Sequence, residues 1–169
     1  VIILCLILSA FFSGMEIAFV SSNKIYLEIE KKQDNFLSKT LTKLTEKPTN
    51  FIVSMLIGNT VAMVVYGFFM GDLLMQWFLY FENPLSDGFN LLLRILIAAI
   101  VILVTAEFLP KVFFQIYANS LIKFFAVPAY FFYKIFYYIA AFFIRISDFI
   151  LRKFFKTEGD ITPLFFCFF

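Results

Sequence analysis

Val104-Thr105-Ala106-Glu107-Phe108-Leu109-Pro110-Lys111 places a carboxylate and a proline inside an apolar run that otherwise reads as a membrane-spanning helix. An ionisable group at bilayer depth is costly unless it faces a protein interior or a wet cavity and has a partner, so Glu107 is a functional-site candidate. Pro110 has no N–H to offer the carbonyl of Ala106, and irregular backbone at membrane depth survives only inside protein or along a cavity. A carboxylate beside freed carbonyl oxygens is a hard anionic cluster, suited to Mg2+, Na+ or a proton. A plainer reading exists: Glu107 and Lys111 stand at i, i+4 in the order that favours an ion pair near the membrane edge.

Working outward, residues 89 to 114 form a third apolar span, with Arg94 near its loop end. The first span, residues 1 to 22, carries one charge, Glu16, and the spacing of Ser9, Ser13 and Glu16 at i, i+4 and i+7 puts them on one helical face. That face is either a polar site or a packing seam in which Ser13-Gly14 lets helices approach and the serines bond back to their own helix. The second span, residues 50 to 71, is uncharged and long enough for about 33 Å of helix. Within it lies Leu56-Ile57-Gly58-Asn59-Thr60, whose Asn59 must find a partner in hydrocarbon. Gly67 and Gly71 have the spacing of a helix-packing or dimer face. Between the first two spans, residues 23 to 50 alternate Lys and Glu with apolar positions. They read as a solvated hairpin of two short amphipathic helices, broken near Gln33-Asp34-Asn35 and ended by Pro48.

The 169 residues are 62% hydrophobic and 15% charged, with a mean hydropathy of +0.91, which describes an integral membrane protein. A net charge of +2 is too small to suggest a nucleic-acid partner, and no basic groove is visible in the sequence. There is no His, and Cys5 and Cys167 lie at opposite ends, so zinc sites and Ser-His or Cys-His catalysis lack their residues. Asp72 has no second intramembrane Asp with which to form a dyad, so an enzyme is not expected. The chain opens on Val1 in apolar sequence and stops in an apolar tail, which reads as a fragment.

Topology follows from the lysines. The loop after the first span holds Lys24, Lys31, Lys32, Lys39, Lys43 and Lys47, the loop before the third is acidic, and positive charge returns after it. The positive-inside rule puts the N-terminus outside and residues 23 to 50 and the C-terminal part in the cytoplasm, at the inner (plasma) membrane. Three crossings satisfy this and four do not. Residues 119 to 156 are apolar, but Lys123, Lys134, Arg145 and Lys156 recur every 11 residues as one basic stripe. A crossing would put Lys134 at the midplane, so a belt lying in the cytoplasmic interface and bent at Pro128 is expected. The predicted fold is all-α, with three transmembrane helices, a cytoplasmic helical hairpin and a juxtamembrane belt helix.

Ser9-Ala10-Phe11-Phe12-Ser13-Gly14-Met15-Glu16, Leu56-Ile57-Gly58-Asn59-Thr60 and Glu107-Phe108-Leu109-Pro110-Lys111, in this order and spacing, resemble the CNNM/CorC transmembrane domain of divalent-cation transporters. The resemblance covers about residues 1 to 155 and leaves 156 to 169 as the start of a linker to cytosolic domains. It implies a homodimer in the lipid bilayer that transports Mg2+. The implied ligands are Ser9, Ser13, Asn59 and Glu107, with Gly58 and Ala106 as backbone contributors, Pro110 as the helix kink, and Glu16 and Lys111 in support. Members usually have Gly where this chain has Ala106. They usually continue into a pair of cystathionine-beta-synthase domains that bind ATP. The aromatic-rich sequence is also similar to the gliding-motility-associated branch of Bacteroidetes, which would imply a membrane scaffold that keeps the fold without transport.

Overall fold

A computed structural model describes residues 1–33, 35–80 and 87–155. The expected linker at 156–169, with Lys156 of the basic stripe, and residues 34 and 81–86, where a hairpin break and a loop were expected, lie outside the described residues. Within them the chain is helical, with no strand: α1 (Ile2–Ser21), α2 (Lys24–Lys31), α3 (Phe36–Glu46), α4 (Pro48–Tyr80), α5 (Asp87–Ile102), a π-helical turn (Leu103–Phe108), α6 (Leu109–Ile116), α7 (Ala118–Phe124) and α8 (Ala126–Phe155). The all-α membrane architecture stands. Four helical runs are long and apolar enough to cross a bilayer: α1, α4, the run from Gly88 to Ile116, and α8. The first three are the expected spans and the fourth is the helix expected to form the belt.

α1 is the centre of the bundle. Cys5, Ser9, Phe12, Ser13, Gly14, Met15, Ala18 and Phe19 are buried along it, and it packs on α4, the π turn, α6 and α7. Two glycines set how close its neighbours come. A Cβ on Gly58 would lie 2.8 Å from the Phe12 ring, and one on Gly14 would lie 2.6 Å from the Phe114 ring. These glycines let aromatic rings sit flat against backbone, drawing α4 and α6 onto the same stretch of α1. Gly14→Ala would force buried Phe114 to move, and the strain is expected to cost about 1–3 kcal/mol, measurable by thermal unfolding. By contrast a Cβ on Gly67 or Gly71 would meet nothing within 4 Å among the described residues.

Two expected features take a different form. The proline-bearing span does not simply kink. It widens into the π turn, where the Leu109 N–H bonds to the carbonyl of Val104 rather than that of Thr105, while Pro110 falls in the first turn of α6, where its missing N–H is tolerated. The belt segment is broken at Phe125 (φ −93°, ψ 7°), between α7 and α8, and not at Pro128. Pro128 lies in the first turn of α8, where no earlier carbonyl of that helix waits for its N–H.

The break also divides the basic stripe. Lys123 belongs to α7 and forms an ion pair at 2.6 Å with Glu30 of α2, whose side chain is 8% exposed. One turn earlier Asn119 Oδ1 accepts from the Asn23 N–H at 2.9 Å. The Asn23 side chain in turn caps α2 by accepting from the Ile25 N–H, and Ser38 Oγ donates to the Lys31 carbonyl across the hairpin. α7 is therefore clasped to the α2–α3 hairpin. Lys134 and Arg145 remain exposed on α8.

The hydrogen bond from Lys123 to Glu30, helped by the carboxylate's charge, holds the Lys123 ammonium above its ordinary 10.5. A raised folded-state pKa gives stability that is complete below pH 10.5 and is lost as pH climbs through the raised value. Amide exchange in α2 is expected to accelerate in that alkaline window, and in Lys123→Met at neutral pH as well.

Candidate intramembrane cation site

The polar groups of the first two spans meet. Ser9 Oγ donates to Asn59 Oδ1 at 2.5 Å, joining α1 to α4. Ser9 is 0% and Asn59 7% exposed, so the bond lies in the bundle and not on its lipid face. Its cause is local: Gly58 admits the Phe12 ring, which closes the helix pair one turn from Ser9. Thr60, though next to Asn59, is exposed and bonds back to the Leu56 carbonyl at 2.9 Å.

Ser13 is one turn further along α1, also 0% exposed, and its Oγ has no hydrogen-bond partner among the described residues. A buried hydroxyl left unpaired costs about 1–3 kcal/mol, so an orphan here calls for an explanation. Neither Ser9 nor Ser13 bonds back to its own helix as the packing-seam alternative had it, whereas Thr60 does so and the Thr105 hydroxyl reaches the Val101 carbonyl at 2.6 Å.

The π turn supplies the third side. Ala106 is buried and Glu107 half-buried, on a segment that packs against α1. The wide turn leaves carbonyls without their usual i+4 donors, as the proline had implied. No ion pair within 4 Å joins Glu107 to Lys111 among the described residues. The alternative of a structural ion pair therefore lacks its contact. Glu16, half-buried on the Ser9–Ser13 face, lies within electrostatic range of both Lys111 and Glu107.

The arrangement gathers hydroxyl, amide and backbone oxygens with nearby carboxylates. Among the described residues no group of three or more His, Cys, Asp or Glu could hold a metal ion, so a cation here would depend on the hydroxyl, amide and backbone oxygens. Sequence reasoning missed the Phe12–Gly58 and Phe114–Gly14 contacts that assemble the site. Glycines one residue from a serine and an asparagine were the signal available.

An all-α, multi-pass membrane protein with buried polar groups at a helix junction and a π turn beside a proline is the class that fold and site define. The family model for the cyclin M transmembrane N-terminal domain (CNNM) matches residues 1–163, and the chain belongs to that family. It is similar to a UPF0053 protein of Haemophilus influenzae, 41% identical over 61 residues, 36% of this chain and 14% of the relative. It is also similar to a UPF0053 protein of Synechocystis, 38% identical over 66 residues, 39% of this chain and 15% of the relative. These matches thus span about one-seventh of each relative's length.

Proposed function

We propose that this domain carries Mg2+ across the membrane through the junction of α1, α4 and the π turn. The observation that carries the reading is Ser13 Oγ, buried and unpartnered on the same helix face as Ser9, whose oxygen already touches Asn59 Oδ1. A small hard cation would use these oxygens, with Glu107 offsetting the loss of hydration that Mg2+ resists. Carbonyls of Gly58 and the Ala106 turn would complete the shell. Glu16 and Lys111 lie beside it, a carboxylate and an ammonium that balance charge when the cation leaves.

The cargo reading is tested by Mg2+-dependent thermal stabilisation, followed by Mg2+ flux in cells carrying the full-length protein. Stabilisation without flux would favour the scaffold reading, and the absence of both would overturn Mg2+ binding itself. ATP-binding cytosolic domains are the expected regulators of the full-length protein.

The same reading places the protein in the inner membrane as a homodimer, N-terminus outside, with α8 as the cytoplasmic belt. Its support is geometric. Lys43 and Lys47 of the hairpin lie over Tyr130 and Tyr137 at 5.5 and 5.9 Å, so the hairpin's lysines follow α8 for two of its turns. A Cβ at Gly67 or Gly71 would meet nothing within 4 Å among the described residues, which leaves that face of α4 open to a second copy. Single cysteines in a cysteine-free protein test both statements: Gly88→Cys should label from outside, Lys39→Cys and Arg145→Cys only from inside, and Gly67→Cys should cross-link two copies. External labelling at position 145 would establish a fourth crossing.

A further inference from the structure

We propose that Glu30 and Lys123, at the hairpin end of the bundle, are positioning residues for the intramembrane cation site, acting through α7 and the Phe125–Phe114 ring stack on the turn of α1 that carries Ser13. The inference rests on the Mg2+ reading of that site and adds a control that lies outside it. Its starting point is a lightly packed helix. Of the residues of α7 only Ala118 and Ile122 are buried, so a single large apolar side chain anchors it in the core. Polar contacts to the hairpin add to this anchor: the 2.6 Å ion pair of Lys123 with Glu30 and the 2.9 Å bond from the Asn23 N–H to Asn119 Oδ1.

The backbone passes a movement of α7 to its neighbours. The Tyr117 N–H bonds to the Phe113 carbonyl at 3.2 Å, that of Leu121 to Tyr117 at 3.0 Å, that of Phe125 to Leu121 at 2.9 Å and that of Ala129 to Phe125 at 3.0 Å. This ladder runs unbroken through both corners, Tyr117 and Phe125, so α6, α7 and the first turn of α8 move as one piece. That piece meets the site through its rings. Phe125 stacks on Phe114 with centroids 5.6 Å apart and planes 23° from parallel, and Phe114 lies where a Cβ on Gly14 would come within 2.6 Å of it. Gly14 follows the unpartnered Ser13, and α6 begins where the π turn ends. A shift of α7 therefore reaches two walls of the site, the Ser13 turn of α1 and the carbonyls of the π turn.

The ion pair supplies the force. The Glu30 side chain is 8% exposed and that of Lys123 39%, so the carboxylate is the member that needs its partner. A charge buried this far is strongly unfavourable once its counter-charge is removed, and parting the pair drives α2 and α7 apart until water reaches Glu30. A close-packed interior transmits such a displacement and does not absorb it.

The test uses the full-length protein. Lys123→Met is expected to weaken Mg2+ binding by roughly tenfold, the scale of changes outside a metal's ligand shell, and Lys123→Arg to keep the parent affinity. Glu30→Gln, which leaves no buried charge and so folds more readily, should weaken it in the same direction. Hydrogen exchange of the ion-free protein gives a readout that does not depend on Mg2+. Residues 103–116 should exchange faster in Lys123→Met and Glu30→Gln, at the parent rate in Lys123→Arg, while residues 90–98 of α5 keep the parent rate throughout. Faster exchange confined to α2 and α7 would make the clasp a local contact and overturn the proposal. So would acceleration that includes α5, which is general loosening, or parent Mg2+ affinity in every folded variant. A parent that ignores Mg2+ while exchange at 103–116 follows the ion pair would sink the cation reading alone and leave the hairpin coupled to this junction.

Discussion

Glu107→Gln is expected to abolish the Mg2+-dependent stabilisation of the protein while leaving its fold intact. At about one hundred times Kd a bound ion adds about 2.7 kcal/mol, or roughly 5–10 °C in Tm for a chain of this size, and the glutamine variant should lose all of it. The charge decides the outcome. Glutamine keeps an oxygen in nearly the same place, but a neutral cage cannot repay the dehydration of Mg2+. The apo protein should tolerate the change, because Glu107 has no ion-pair partner within 4 Å among the described residues to leave behind and a neutral amide is cheaper to hold in the bundle than a carboxylate. Lys111→Met serves as the control: it should keep the Mg2+ shift. A Gln variant that still responds to Mg2+ would move the ion elsewhere.

The two serines of α1 should respond in opposite ways when the ion is absent. Ser13→Ala removes a buried hydroxyl that bonds to nothing among the described residues. It is therefore expected to leave apo stability unchanged or raise it by up to about 1–3 kcal/mol. Ser9→Ala breaks the 2.5 Å bond to Asn59 and should cost about 0.5–1.5 kcal/mol. Both should weaken Mg2+, by roughly tenfold or more, since even changes one shell removed from a metal act on that scale. Calorimetric titration and thermal unfolding of each variant give the two quantities separately. Ser13→Ala with unchanged Mg2+ affinity would make the orphan hydroxyl a packing accident.

The site was legible in the sequence wherever one residue broke a rule that the bilayer imposes. Glu107 and Asn59 stand out because hydrocarbon leaves them nothing to bond, and the spacing of Ser9, Ser13 and Glu16 is fixed by helix geometry alone. The spans were legible too, although α4 runs from Pro48 to Tyr80, well past the apolar stretch that announced it. What stayed hidden depends on neighbours far along the chain. Lys123 looked like one rung of an 11-residue stripe because its partner, Glu30, is on another helix, and nothing local marks Glu30 as buried. The break at Phe125 rather than Pro128 was hidden because a proline's effect depends on where the helix starts. Likewise the exposure of Ile25 and Ile29 could not be read from amphipathic spacing, which says that a face is apolar but not what covers it.

The π turn separates the architecture of this span from its chemistry. A bond from Leu109 back to Val104 closes a loop one residue longer than an α-helical one, so the turn stores a single surplus residue and hands the helix on without changing its phase. A chain shortened by one residue between Leu103 and Phe108 would still present Phe114 to Gly14 and the same apolar side chains to lipid. It would cross the membrane as a helix of ordinary width, with only the carbonyl one turn before Pro110 left unanswered by its own backbone.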